Sequence, residues 1–176
     1  MDYNCQKGFT LIELITVMAI LAIIFVSVLA NYQNNKSEQA LTQAVQKMVT
    51  DLREAQNMAM SGSEINSQYY GYGIYINIGV EGSNNSYIVF GETQPDSHIY
   101  DSATDIIIRN TDLPSGVKIQ AVSSSDGRAD IFFEPPDPKV YLNVLPASNQ
   151  ATITLQNSSA LARVITVNNS GLIQNN

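Results

Sequence analysis

Between Phe9 and Ala30 the chain runs for 22 residues in which only Thr10, Glu13, Thr16 and Ser27 are polar, and only Glu13 is charged. No other stretch restricts the fold so strongly. As an α-helix these residues reach about 33 Å, close to the thickness of a bilayer core, so the segment is predicted to span a membrane. A carboxylate inside such a helix costs roughly 2.5–3.5 kcal/mol near the bilayer centre, which marks Glu13 as functional and in need of a partner. A free amine is the expected one.

The residues ahead of this run, Met1 to Gly8, lack the apolar stretch of a secretory signal. Lys7 and the initiating amine precede the apolar run, which places the N-terminus in the cytoplasm and everything beyond Ala30 outside it. A length of 176 residues holds this helix and one domain large enough for a real core. The net charge is −7, and beyond Ser61 there are 5 Lys and Arg against 11 Asp and Glu, a balance of −6. That weighs against a nucleic-acid or anionic-lipid surface, which needs clustered bases. The single cysteine, Cys5, lies in the first eight residues, so a chain cut after Gly8 has no disulfide.

From Asn31 to Ser61 there is neither Pro nor Gly, so the helix is predicted to continue outward, giving about 80 Å from Phe9 to Ser61 at the standard rise. Leu41, Val45, Met48, Leu52, Ala55 and Ala59 recur at alternating four- and three-residue steps and form one stripe. Packing of that stripe on a sheet is expected, with a coiled coil as the alternative use of the same spacing. Lys47 and Asp51 form a surface i,i+4 pair worth tenths of a kcal/mol, and Gly62 suits a helix stop. After Gly62 the period becomes 2, with Tyr72, Ile74, Ile76 and Ile78 alternating against Gly73, Tyr75 and Asn77. Further strands are expected at Tyr87–Phe90, Asp105–Arg109, Val117–Val122, Ile131–Phe133, Ala151–Leu155 and Arg163–Val167, with a closing hairpin through Asn168–Gly171 into Leu172 and Ile173. The fold class is α+β: a long N-terminal helix, transmembrane in its first half and amphipathic in its second, packed on an antiparallel β domain. The expected divisions are 1–8, 9–30, 31–61 and 62–176.

The junction Lys7-Gly8-Phe9-Thr10-Leu11-Ile12-Glu13 resembles the N-terminus of the type IV pilins and of the pseudopilins of type II secretion. Their precursors have a short leader ending in Gly, then Phe, then a glutamate four residues on, then an unbroken apolar helix. The resemblance implies a leader at 1–8, cleavage between Gly8 and Phe9 by a prepilin peptidase, and N-methylation of Phe9. It further implies a pilin-like fold and a structural, non-enzymatic subunit that polymerises into a pilus or pseudopilus. In that mechanism Glu13 attracts the Phe9 amine of a neighbour, and Leu11, Ile12, Leu14 and Ile15 pack helix to helix. The implied partners are the peptidase, other pilin subunits, the inner-membrane assembly machinery, and membrane lipid before assembly. The implied location is the cytoplasmic membrane, single-pass, and then the filament. An ordinary signal anchor would need neither the buried Glu nor the Gly-Phe junction.

Two further stretches, Asp51-Leu52-Arg53-Glu54-Ala55-Gln56 and Ile165–Asn168 with Gly171-Leu172-Ile173, look like the branch containing the minor pseudopilin of type II secretion and the FimT-like minor pilins. The chain departs from many relatives in lacking a C-terminal disulfide, and from many major pilins in having no Pro or Gly inside the apolar helix, where Ala22 and Ala30 keep it uninterrupted.

Candidates for other chemistry are few. His98 stands alone, with no nearby Cys or second His for a metal or a triad, and reads as a solvated loop histidine. Asp126-Gly127-Arg128-Ala129-Asp130 lacks the alternating acids and distal Glu of a calcium loop and reads as a tight turn. Glu134-Pro135-Pro136-Asp137-Pro138 reads as a stiff exposed loop, equally a contact surface or a rigid connection. Asn84, Asn157 and Asn168 sit in glycosylation sequons of no stated use. No catalytic residue, metal ligand or cofactor is predicted. Two alternatives stand beside the structural subunit: a tip-located minor pilin whose surface binds a ligand or DNA, and a membrane-tethered enzyme assembled without Cys.

Overall fold

The structure is a computed structural model that describes residues 10–62, 70–79, 84–95, 97–135, 139–143 and 149–176, with backbone alone for 30–34. Among the described residues there are one helix, α1 (Leu11–Ser61), and nine strands: β1 (Gly71–Asn77), β2 (Ser86–Glu92), β3 (Ile106–Asp112), β4 (Val117–Val122), β5 (Arg128–Glu134), β6 (Lys139–Asn143), β7 (Gln150–Asn157), β8 (Ala162–Asn168) and β9 (Ile173–Asn175). The chain divides into two units, 1–36 and 37–176.

In the first unit Leu11–Leu29 is long and apolar enough to cross a membrane, with a mean hydropathy of 2.8, and none of it is buried by the rest of the protein. Its hydroxyls turn back on the helix. Thr16 Oγ1 donates to the carbonyls of Ile12 (3.0 Å) and Glu13 (2.9 Å), and Ser27 Oγ to that of Ile23 (3.2 Å). The polar atoms are thereby satisfied where lipid offers no partner.

In the second unit the antiparallel strands form a five-stranded sheet, ordered β3-β2-β1-β5-β6, and a four-stranded sheet, ordered β4-β7-β8-β9. The sequence predicted seven strands and a closing hairpin. β9 is that hairpin's second strand, pairing Ile173 with Val167. The strand missed is β6, whose five residues follow a proline-rich stretch and are too few to show a period of two. Its register, Phe133 against Val140 and Phe132 against Tyr141, comes from β5 rather than from local preference.

The predicted helical stripe is the core-facing one: Leu41, Val45, Met48, Leu52, Ala55 and Ala59 are all buried, joined by Ala44 and Val49. They meet Tyr72, Ile74 and Ile76 of β1, Val89 of β2 and Ile131 and Phe133 of β5, and from the other sheet Ile119, Ile153, Leu155, Ile165 and Val167, in one hydrophobic cluster. Each fully buried Leu, Ile or Phe contributes about 1.5–3 kcal/mol, so this cluster dominates the domain's stability. At the helix end Gly62 takes φ +64°, the left-handed conformation that lets a helix stop without Cβ strain.

The opposite face of the five-stranded sheet carries a second, smaller cluster. Phe90 and Phe132 are fully buried there, with ring centroids 6.2 Å apart. Gly73 makes room for them, since a Cβ on it would lie 2.7 Å from the Phe90 ring and 2.8 Å from the Ile131 carbonyl oxygen. A side chain at that position would force apart two paired strands.

Candidate functional site

The glutamate of the apolar segment stands in the first turn of α1, where the sequence Thr10-x-x-Glu13 makes a capping box. Thr10 donates both its backbone N–H and its Oγ1 hydroxyl to Glu13 Oε2, each at 2.8 Å, and the Glu13 N–H donates back to Thr10 Oγ1 at 3.4 Å. Sequence reasoning missed this device, although Thr three residues before Glu is its ordinary signature. The box fixes the carboxylate's position, occupies one oxygen and leaves Oε1 without a partner among the described residues. A negative group in the first turn is also favoured by the helix dipole.

Around it the helix is bare. Leu11, Ile12, Leu14 and Ile15 are each more than half exposed, and the apolar surface continues through Leu29. Gly8 and Phe9, where cleavage is expected, lie outside the described residues.

A second concentration of polar groups sits on the part of α1 that packs on the sheets. The expectation of a surface pair at Lys47 and Asp51 is corrected here. Lys47 Nζ does reach Asp51 Oδ1 at 2.5 Å, but Asp51 is completely buried while Lys47 is half exposed. The carboxylate also accepts hydrogen bonds from the Tyr87 hydroxyl of β2 (2.7 Å), Arg109 of β3 (3.0 Å) and Thr111 of β3 (3.5 Å). Arg109 bridges onward to Glu54 Oε2 at 2.6 Å. A charge taken out of water survives only when paired and hydrogen-bonded, and this network supplies four donors from three elements. Burial, and then the adjacent Asp51 carboxylate, push the Tyr87 phenol far above its ordinary range, so it stays a donor. The hydrogen bond to Glu54 raises the Arg109 guanidinium, which remains charged. On the next turn Gln56 Nε2 donates to the Gly171 carbonyl at 3.3 Å. The two stretches that the sequence singled out near the two ends of the domain therefore touch.

His98 is also corrected. Rather than a solvated loop residue it is a partly buried ring with φ +54°, stacked 3.8 Å from Tyr141 at 10° and packed 5.2 Å from Phe132. Its Nε2 lies 3.9 Å from Glu134 Oε1. No group of three or more His, Cys, Asp or Glu that could hold a metal ion occurs among the described residues.

An exposed apolar helix that carries its N-terminal carboxylate in a capping box and continues into an amphipathic stripe beneath two antiparallel sheets defines a pilin-like α+β protein. Residues 3–29 match the prokaryotic N-terminal methylation motif. Residues 44–171 match the family described as type II transport protein GspH, and the chain belongs to that family. These two matches place it in the type IV pilin and pseudopilin class. Among solved structures, the chain is similar to the type IV minor pilin FimU of Pseudomonas aeruginosa, at 12% identity over 81% of this chain and 89% of that one, with a TM-score of 0.49. No curated protein sequence matches it.

Proposed function

We propose that the chain is a minor subunit of a type II secretion pseudopilus or a type IV pilus, cleaved between Gly8 and Phe9, methylated on Phe9 and polymerised through α1. The observation that carries this reading is the 19-residue apolar segment Leu11–Leu29, wholly unburied, with a single carboxylate fixed in its first turn. So much apolar surface needs lipid before assembly and other helices after it. The capping box leaves Glu13 Oε1 open to an amine, and the cleaved N-terminus of a neighbouring subunit supplies one. Leu11, Ile12, Leu14 and Ile15 then pack against neighbouring helices as homo- or heteropolymer contacts.

Before assembly the subunit sits in the cytoplasmic membrane with its N-terminus inside and residues 37–176 outside, where it meets the prepilin peptidase and the inner-membrane assembly machinery. Its role is structural rather than enzymatic. The direct test is mass spectrometry of filaments sheared from the source cells. Expected are peptides beginning with N-methylated Phe9, at a small fraction of the main subunit's abundance. Full-length chain confined to the membrane of cells that do make filaments would overturn the reading.

A further inference from the structure

The segment Ser97–Asp105 crosses the face of the five-stranded sheet that is turned away from α1, and it lies over the Phe90 and Phe132 cluster. Tyr100 packs on Tyr75 (ring centroids 4.7 Å) and Phe90 (5.3 Å), and His98 on Tyr141 and Phe132. Its middle is pinned by polar contacts. Buried Asp130 accepts the Tyr100 N–H at 3.0 Å, while Arg128 donates to the Tyr100 carbonyl at 2.8 Å and to Asp130 at 2.9 Å.

Its root is built differently. Glu92 ends β2 and Asp105 immediately precedes β3, and the register that pairs Gly91 with Ile106 sets the two next to each other where the segment leaves and rejoins the sheet. Glu92 is 1% exposed. Its Oε1 accepts the Gln94 N–H at 3.1 Å, but Oε2 has no hydrogen-bond partner among the described residues. The group facing it, Asp105, already accepts from Asp101 N–H (2.7 Å) and Thr93 N–H (3.5 Å). Two acceptors face each other, and, although the Ser97 hydroxyl also lies within reach of Glu92, a proton held between the two carboxyls satisfies the orphan oxygen. A buried ionised carboxylate without a partner would be costly, so the pair retains that proton where an exposed one would lose it.

We propose that Ser97–Asp105 is a pH-sensitive strap, latched at its root by one proton shared between Glu92 and Asp105 and loosened from the sheet when that proton leaves. Burial and then the hydrogen bond to Asp105 raise the Glu92 carboxyl from 4.5 to about 7. The sign follows from linkage. The raised group favours the closed strap fully below 4.5, and that advantage is lost as pH rises through about 7. The Ser97 hydroxyl and the Gln94 N–H favour the ionised form but offset only part of this. A cavity of about 40 Å³ beside it is lined by Tyr70 and Gln94 before and after the strand pair, His98 of the strap and Glu134 of β5, with no Lys or Arg among the described residues there. Asp101 stands behind Asp105, and Arg128 is committed to Asp130 and Tyr100.

The experiment is hydrogen exchange on the full chain in detergent micelles at pH 5 and pH 8.5, with protection corrected for the intrinsic effect of pH on exchange. Protection at Tyr100, Asp101 and Ala103 is expected to fall by at least about tenfold at the higher pH, while Ile74 and Ile131 in the sheet stay unchanged. Glu92→Gln removes the titrating group, and its strap protection is expected to be equal at both pH values. Equal protection in the wild type, or an undiminished fall in Glu92→Gln, would overturn the proposal. Should Glu92→Gln not fold, Asp105→Asn, which supplies an N–H to Glu92 in place of the shared proton, decides it by the same criterion.

Discussion

Gln56 on α1 and Gly171 in the last turn of the chain are joined by a hydrogen bond of 3.3 Å from the amide Nε2 to the glycine carbonyl, across 115 positions of sequence. Gly171 has φ +80°, and a Cβ on it would come within 2.6 Å of that same Nε2. Backbone conformation and packing thus both call for glycine at one position.

Gly171→Ala is expected to destabilise the domain by about 1–2 kcal/mol, mainly through the left-handed backbone penalty, because the Gln56 amide can swing aside. Gln56→Ala alone should lose about 1 kcal/mol or less, the net value of one part-buried hydrogen bond. Combined, the two changes should cost less than their sum, because removing Gln56 also removes the steric conflict. Urea denaturation of the four proteins forms the cycle, and strict additivity would show that the hydrogen bond does not couple the two residues.

How much of this was legible beforehand depends on period. The stripe from Leu41 to Ala59 and the alternation of Tyr72, Ile74 and Ile76 announce themselves because burial on one face leaves a repeat of 3.6 or of 2 in the sequence. The strap leaves no such trace, since the partly buried Tyr100 and His98 lie in an irregular segment where the apolar Ile99 between them is exposed and no repeat of 2 or 3.6 develops. The burial of Asp51 is hidden for a related reason. On the helix it is four residues from Lys47, which suggests a surface pair, and nothing local reveals that Tyr87 and Arg109 close over it from β2 and β3. The Thr10 to Glu13 box is legible from spacing alone, and it gives the carboxylate an intrahelical partner besides the one a membrane demands from outside.

Asp51→Ala should be among the most damaging single changes in the domain, costing about 3–5 kcal/mol, because it strands the Tyr87 hydroxyl and the Arg109 guanidinium around a small void. Lys47→Ala removes a donor that is half exposed and should cost no more than about 1 kcal/mol. A shift in denaturation midpoint of similar size for the two variants would mean that Asp51 behaves as a surface residue after all.

A fragment beginning at Asn34 should be soluble and fold cooperatively, since it keeps every buried residue of the helix from Leu41 to Ala59. One beginning at Gly62 should aggregate or remain unfolded. It would expose the sheet residues that those side chains cover, among them Ile74, Ile131 and Ile153, as one apolar surface. Far-ultraviolet circular dichroism with thermal melting distinguishes the cases, and matching melts for both fragments would refute the packing of α1 as a core element.

Glu13 is the residue on which the filament reading turns, and the capping box changes how it must be tested. Glu13→Ala deletes two things together, the carboxylate charge and the acceptor for the Thr10 N–H and hydroxyl, and the second loss alone frays the helix start by about 0.5–2 kcal/mol. Glu13→Gln separates them, because its amide oxygen can still accept from Thr10 while the charge is gone. The proposed cleavage after Gly8 would leave Thr10 and Glu13 in the same chain, so the box would persist in a processed subunit. If an amine of a neighbour pairs with Glu13, a contact near 4 Å at an effective dielectric of about 20 is worth around 4 kcal/mol, well above the cap. Glu13→Gln should then reduce incorporation into filaments nearly as much as Glu13→Ala, with membrane insertion at least equal to wild type in both. Incorporation is measured as the amount in sheared filaments divided by mature protein in the membrane. If Glu13→Gln incorporates like wild type and only Glu13→Ala fails, the carboxylate serves the helix cap, and the charge-pairing mechanism is wrong for this subunit.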